Sequence, residues 1–186
     1  KLTLSAFEFF SDLALQKVQA HRKLPAPLAN RVDNYALLEF DASELNKAEE
    51  AFALCMEEGW LVDGVISQSQ AQAAALWQLR EGISESLAPY TPYKNDLSVR
   101  ISEVPGFLAD VDRYVNEGHP DFEVCWYGHI GDGNLHLNIL RPESLSLEEF
   151  FHVGHTMSPK VCELVQARRG SISAEHGVGL LKRDFL

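Results

Sequence analysis

The sequence of 186 residues lacks the cysteine pairs of a disulfide-bonded protein or of a CxxC motif. Its three cysteines, Cys55, Cys125 and Cys162, are widely spaced, which predicts buried free thiols in a reducing compartment. No apolar run approaches the ~20 residues that a membrane-spanning helix needs, and no signal peptide is apparent. We therefore expect a cytoplasmic protein without a transmembrane segment, peripheral to a membrane at most, and mitochondrial if its source is a eukaryote.

Positive charge is scarce, because 16 Lys and Arg stand against 27 Asp and Glu, for a formal net charge of −11. This balance argues against nucleic acid or an anionic membrane surface as the main partner. No glycine-rich loop opens a helix, so neither a Rossmann nor a P-loop nucleotide site is expected. The length and the 46% hydrophobic content suit one globular core. Because the net charge is negative, binding of an anionic ligand would depend on cationic side chains close to the ligand.

The most informative segment of the chain spans residues 128–138 and reads GHIGDGNLHLN. The dipeptide Asp132-Gly133 within it is typical of a two-residue type I′ hairpin turn. We therefore expect an antiparallel pair of strands over Val124–Ile130 and Leu135–Leu140.

That turn places His129 and His136 directly opposite each other, with Cβ atoms roughly 4.5–5.5 Å apart. Both imidazoles could then reach one metal ion, and Asn138 would lie on the same face as His136 because side chains alternate along a strand. A single helix face could also hold both histidines, but three glycines within six residues make that helix improbable. The competing interpretation is a glycine-rich hairpin whose histidines face solvent.

A second informative segment, residues 173–177, reads SAEHG. Catalytic zinc centres commonly use three His and Glu ligands and leave one position open, and His129, His136 and Glu175 would supply that set. His176 then becomes a candidate general base rather than a fourth ligand, because the pKa of an ordinary imidazole lies near neutrality. The spacing favours a metal site over the solvent-facing alternative.

These two segments also resemble a known family. Residues 128–140 (GHIGDGNLHLNIL) and 170–184 (GSISAEHGVGLLKRD) are similar to the C-terminal half of the flavin-linked D-2-hydroxyacid dehydrogenases of the vanillyl-alcohol oxidase superfamily. Within that family the D-2-hydroxyglutarate dehydrogenase group is the most similar, followed by D-lactate dehydrogenase and the glycolate oxidase flavin subunit. Upstream segments that fit in the same order are 4–9 (LSAFEF), 61–65 (LVDGV), 76–83 (LWQLREGI) and 93–98 (YKNDLS).

The resemblance implies oxidation of a D-2-hydroxy acid to the 2-oxo acid by an FAD-dependent enzyme. D-2-hydroxyglutarate or D-malate is the favoured substrate, and D-lactate or glycolate comes next. A divalent ion, with zinc expected, would bind the substrate carboxylate and hydroxyl, Asn138 would hydrogen-bond the substrate, and His176 would take the hydroxyl proton. The expected partners are an electron acceptor, such as an electron-transfer flavoprotein, a quinone or a cytochrome, and a second copy in a homodimer.

Residues 1–186 would then be a single substrate- and metal-binding domain, a fragment without the flavin-binding domain and the C-terminal tail of the family. FAD would be bound mainly by that absent domain, and the fragment alone is expected to be inactive. Two other classes stay open, namely a non-enzymatic divalent-metal-binding module and a zinc hydrolase with His176 as base. A flavin-domain sequence upstream in the parent gene would decide for the oxidoreductase.

A second group of candidate residues surrounds the predicted helix over 70–87. Arg80 and Ser84 are four residues apart and so share one helix face, and Lys94 follows after a proline-containing turn. By itself the sequence favours a solvated Arg80 paired with Glu81 or Glu85. The family resemblance instead implies that Arg80, Ser84 and Lys94 hold the distal carboxylate of the substrate, by a bidentate guanidinium and a compact ammonium charge.

The pattern of elements predicts an α+β protein, with a ferredoxin-like antiparallel sheet, helices on one face and an inserted helical segment. A capping box from Asp41 to Glu44 is expected to open the second helix. The predicted helices are Thr3–His21, Asp41 to near Gly59, Gln70–Leu87, Pro105–Glu117 and Leu147–Ala167. The predicted strands besides the hairpin are Tyr35–Phe40, Leu61–Ile66, Leu97–Ile101 and Ser171–Ala174.

Overall fold

The computed structural model describes residues 2–175, which form two compact units that meet in sequence between Ser86 and Leu87. Each unit combines helices with antiparallel strands, so the predicted α+β class is confirmed. Among the described residues no helix is both long and apolar enough to cross a membrane.

The first unit consists of an antiparallel strand pair and four helices. Strand β1 (Leu4–Ser11) pairs with β2 (Asn34–Phe40), and the helices are α1 (Asp12–Arg22), α2 (Leu45–Glu57), α3 (Gln70–Glu81) and α4 (Ile83–Leu87).

The predicted helix from Thr3 is wrong over its first half, because β1 occupies those residues. Long-range pairing decides between the two structures. Phe10 lies opposite Tyr35 of β2, and their rings stack with centroids 5.6 Å apart. The helix begins only where Ser11 caps it by accepting a hydrogen bond from the backbone N–H of Ala14. Aromatic residues fit a half-buried strand well once a partner strand is present.

Two other expectations for the first unit are also wrong. The segment 61–66 forms no strand, and the exposure of Val62 and Val65 shows that it does not supply a buried row of side chains. The predicted capping box is not formed either, because Asp41 accepts from Ser43 while the Glu44 carboxylate binds Lys47. A short 3-10 turn therefore precedes α2.

The predicted helix over 70–87 is present but breaks at Gly82 into α3 and α4. A Cβ at Gly82 would lie 2.7 Å from Cγ2 of Val18 and 2.8 Å from Nε of Arg22. The absence of a side chain therefore allows α1 to approach closely at the break. Ser69 caps the start of α3 by accepting from the backbone N–H of Gln72.

The second unit is built on a three-stranded antiparallel sheet in which β5 is central. Its strands are β3 (Tyr93–Ser98), β4 (Glu123–His129) and β5 (Asn134–Leu140), and its helices are α5 (Val104–Gly118) and α6 (Leu147–Ala167). A capping box between Ser146 and Glu149 opens α6, which continues through Pro159.

The two faces of this sheet differ sharply in polarity. Leu135, Leu137 and Ile139 of β5 are at most 1% exposed and share a face with Trp126, whose ring contacts Phe107 of α5 at 6.1 Å between centroids. Alternation places the intervening residues on the opposite face. The register arranges that polar face in three rows, Lys94–Asn138–Cys125, Asp96–His136–Tyr127 and Ser98–Asn134–His129.

The strand predictions for the second unit are confirmed for the two hairpin strands but not for the segments 97–101 and 171–174. The hairpin strands lie within one residue of their expected starts and ends. The predicted strand over 97–101 is wrong in its bounds, because β3 already begins at Tyr93 and a 3-10 turn starts at Ile101. The predicted strand over 171–174 reduces to a single bridge between Ser171 and Ser98.

The hairpin loop contains four residues, 130–133, instead of the predicted two-residue turn. A type I′ turn needs positive φ at both Asp132 and Gly133, but only Gly133 has it, at +81°. Asp132 instead accepts a hydrogen bond from the backbone N–H of Asn134. His129 therefore lies opposite Asn134 and not, as predicted, opposite His136.

Replacement of Gly133 by Ala should destabilise the protein. An added Cβ would lie 2.0 Å from the carbonyl oxygen of Val99, and left-handed backbone strain by itself costs about 1–3 kcal/mol. We expect the free energy of unfolding, measured by urea denaturation, to fall by at least that amount. Gly118→Ala is the matched control, because nothing lies within 4 Å of its added Cβ. Equal losses in the two variants would contradict this account.

Candidate metal centre

Three side chains predicted as metal ligands come together in the second unit. His129, His136 and Glu175 each offer one ligand atom, and these atoms all lie within 4.8 Å of one another. Nε2 of His129 is 3.4 Å from Oε1 of Glu175, and the two imidazole rings are nearly perpendicular, with centroids 5.6 Å apart. The predicted convergence is present, while metal binding itself stays a prediction.

The two histidines meet although they are not directly opposite. The observed register between β4 and β5 differs from the predicted one by two residues. A shift of one residue would move a side chain to the other face of the sheet, whereas a shift of two keeps it on the same face. His129 and His136 are therefore diagonal neighbours, which are still within reach for long side chains.

Glu175 reaches the histidines through the segment that follows α6. Ser171 forms a bridge with Ser98 of β3, with two backbone N–O distances of 2.9 and 2.8 Å. Further along, the Asp96 carboxylate accepts hydrogen bonds from the backbone N–H groups of Ala174 and Glu175, at 3.2 and 2.7 Å. These contacts fix the backbone that presents the Glu175 side chain.

The residue set fits a divalent ion of the zinc type. Two imidazoles and one carboxylate are a common ligand set of catalytic zinc. Ligands held at about 2.0–2.1 Å in a tetrahedral arrangement are separated by roughly 3.4 Å, which matches the separation of His129 and Glu175. The side chains of these two residues are 39% and 48% exposed, against 15% for His136. A small ligand can therefore approach from the open side.

Asn138 and Lys94 lie on the same sheet face as His136, one row away. Asn138 is 1% exposed and its Nδ2 donates to the backbone carbonyl of His136, while its buried Oδ1 has no hydrogen-bond partner among the described residues. Lys94 is exposed and forms no ion pair within residues 2–175. The second unit thus places an amide and an ammonium group beside the candidate ligands.

Arg80 and Ser84, the other predicted substrate residues, belong to the first unit. Arg80 is buried and binds the equally buried Glu8 of β1, with 2.8 Å between Nη2 and Oε2. The expected surface pairing of Arg80 with Glu81 or Glu85 is therefore wrong. Ser84 is exposed on α4.

Glu8 and Asp96 were not among the residues predicted from the sequence. The predicted base, His176, lies outside the described residues. Nothing local in the sequence connects Glu8 with Arg80, because that pair depends on packing between β1 and α3. Asp96 could have been found, since it follows Lys94 by two residues and a strand places such residues on one face.

The chain is similar over its whole length to one protein family and to several dehydrogenases. Residues 1–186 match the family model described as FAD linked oxidases, C-terminal domain. The chain is 54% identical over 189 residues to a D-2-hydroxyglutarate dehydrogenase of Stutzerimonas stutzeri (100% of this chain, 41% of that protein). It is 51% identical over 189 residues to a D-2-hydroxyglutarate dehydrogenase of Xanthomonas citri (100% and 40%) and 35% identical over 189 residues to the mitochondrial D-2-hydroxyglutarate dehydrogenase of Danio rerio (98% and 34%). The chain spans about two fifths of the length of the two bacterial relatives.

His129→Ala should abolish stoichiometric zinc binding by this chain, because two remaining ligands do not make a closed three-residue set. Isothermal titration of zinc into the metal-free chain, with metal content measured after dialysis, tests this expectation. His152→Ala is the matched control, since His152 is an exposed histidine of α6. Equal zinc binding by His129→Ala and the wild type would rule out the centre.

Proposed function

This chain belongs to the family of FAD-linked oxidase C-terminal domains, and from that premise we propose that it is the substrate- and metal-binding part of an FAD-dependent D-2-hydroxyacid dehydrogenase. The main support is the convergence of His129, His136 and Glu175 on the polar face of the second unit. A metal-storage module would need only these ligands and would leave the neighbouring Asn138 and Lys94 without a role.

The three candidate ligands would hold a divalent ion, with zinc preferred for this ligand set. Such an ion acts as a Lewis acid and a template for the hydroxyl and carboxylate oxygens of a 2-hydroxy acid. Asn138 lies two residues from His136 on β5, and its buried Oδ1 is suited to accept a hydrogen bond from the substrate. The rigid strand fixes the distance between this amide and the ligand position.

Oxidation of the substrate requires loss of a proton from its hydroxyl and of a hydride from its α-carbon, with formation of the C=O bond. We assign the proton to His176, which directly follows Glu175 in the sequence. The flavin that family membership implies would supply the acceptor for the electron pair of the broken C–H bond. We propose that this chain is part of a longer protein and that the remainder of that protein binds FAD. The reduced flavin would pass its electrons to an electron-transfer flavoprotein, a quinone or a cytochrome.

The preferred substrate is proposed to be a dicarboxylate, D-2-hydroxyglutarate or D-malate, over D-lactate or glycolate. A metal ion can hold the α-carboxylate, but a second carboxylate needs a cation of its own. Lys94 is suited to this role, because it is exposed and lies one row from His136 on the same face. The relatives named as D-2-hydroxyglutarate dehydrogenases agree with this choice, and the resemblance adds Arg80 and Ser84 to the same role.

His176→Gln in the full-length enzyme should lower turnover and leave metal content unchanged. The loss of a general base typically costs roughly 10²–10⁴-fold in rate, whereas the three-residue ligand set remains intact. Turnover with D-2-hydroxyglutarate and metal content per chain are to be measured on the same preparation. Loss of the metal together with activity would make His176 a ligand and refute its role as base.

Lys94→Ala should lower kcat/KM for D-2-hydroxyglutarate much more than for D-lactate, which has no second carboxylate. A hydrogen bond to a charged group contributes about 1.5–3 kcal/mol, which corresponds to roughly 10–150-fold in kcat/KM. D-lactate serves as the internal control for folding and metal loading. Equal losses on the two substrates would refute the dicarboxylate assignment.

Assays with D-2-hydroxyglutarate and D-lactate also distinguish a substrate-binding role of Arg80 from a structural one. Its removal leaves the buried carboxylate of Glu8 without its cation, which destabilises the fold whatever the substrate. Arg80→Ala is therefore to be compared with the double variant Glu8→Gln/Arg80→Ala, in which that stranded charge is absent. A substrate role requires a loss specific to D-2-hydroxyglutarate in both variants, and equal losses on both substrates would make Arg80 structural.

A further inference from the structure

Asp96 connects two of the three candidate ligands. It lies on β3 directly opposite His136 of β5, so the two side chains leave the sheet on the same face. Its side chain is only 9% exposed. A carboxylate at such a depth needs polar neighbours, and polar groups of the candidate metal centre lie against it.

One oxygen of Asp96 faces His136. Oδ1 lies 3.5 Å from Nδ1 of the imidazole. A neutral imidazole carries a proton on one nitrogen only, and a carboxylate beside Nδ1 favours the tautomer with the proton there. The lone pair of Nε2 is then available to a metal, the arrangement in which a carboxylate orients a histidine ligand.

The other oxygen of Asp96 holds the backbone that presents Glu175. Oδ2 accepts from the consecutive N–H groups of Ala174 and Glu175. The second anchor of this segment is the bridge from Ser171 to Ser98. One side chain on β3 therefore acts on a ligand from β5 and on a ligand from the segment after α6.

We propose that Asp96 is the positioning residue of the metal centre, setting the tautomer of His136 and the location of Glu175 at the same time. This inference rests on the proposed metal site. Only a carboxylate can perform both tasks, because both partners present hydrogen-bond donors to it. An amide has one accepting oxygen, so its NH₂ group must face either Nδ1 of His136 or the two backbone N–H groups.

The affinity for zinc is the first readout, measured by competition titration on the 186-residue chain. Asp96→Asn should weaken zinc binding by about 10–100-fold, the usual effect of removing the outer partner of a metal-bound histidine. The matched control is Asp132→Asn, which removes the same charge from the exposed hairpin loop, where Asp132 accepts from Asn134. Unchanged affinity in Asp96→Asn, or an equal loss in Asp132→Asn, would overturn the proposal.

Two measurements on the metal-free chain are independent of zinc. At about pH 8, well above the ordinary histidine pKa, ¹⁵N NMR should show His136 with its proton on Nδ1 in the wild type and not in Asp96→Ala, which has no acceptor at this position. Amide hydrogen exchange should be slow at Glu175 in the wild type and fast in Asp96→Ala. A proton on Nε2 in the wild type, or equal exchange in both proteins, would overturn the role of Asp96.

These readouts also separate the proposal from the function on which it rests. If the wild-type chain binds no zinc, the metal centre fails, and the tautomer and exchange results decide the role of Asp96 by themselves. If Asp96→Asn or Asp96→Ala does not fold, as judged by circular dichroism, the wild-type tautomer and the wild-type exchange rate at Glu175 still decide it.

Discussion

The alternation of side chains along β5 is the constraint on which the second unit depends. Leu135, Leu137 and Ile139 are buried on the face that packs in the core, so His136 and Asn138 must point the other way. The same strand therefore supplies the core and the candidate site. Because close-packed interiors tolerate little displacement, the positions of the polar side chains are fixed by apolar packing on the opposite face. Sites on such strands are held more precisely than sites on loops.

This constraint explains why the candidate ligands could be predicted although the turn and the register of the hairpin could not. The sequence favours a two-residue turn at Asp132-Gly133, but Gly133 is engaged elsewhere, since its carbonyl accepts from the backbone N–H of Val99. That contact comes from a distant part of the chain and leaves no local signal. The resulting loop is two residues longer than predicted, and a period of two returns His129 to the face of His136. The wrong prediction of the turn therefore did not change which residues were predicted as ligands.

Other features depend on long-range contacts and were missed for that reason. The spacing of apolar residues in β1 suits a helix, and only the pairing with β2 makes it a strand. The expected partners of Arg80, Glu81 and Glu85, lie within five residues of it, whereas Glu8 lies 72 positions earlier in the chain. By contrast α5 and α6 have local caps or clear periodicity, and their predicted bounds lie within about one residue of the observed ones. Sequence reasoning succeeded where local signals determine structure.

The charges of the second unit would allow an acidic protein to select the anionic substrate that we propose. A divalent ion at the candidate centre would carry two positive charges, and the carboxylates of Glu175 and Asp96 would cancel both. The centre would then orient a 2-hydroxy acid by coordination while offering no surplus charge to a second carboxylate. Lys94, exposed and without an ion pair inside the described part of the chain, supplies a charge that the acidic ligands do not neutralise. Selectivity for a dicarboxylate would thus arise one row away from the metal, on the neighbouring strand of the same sheet face.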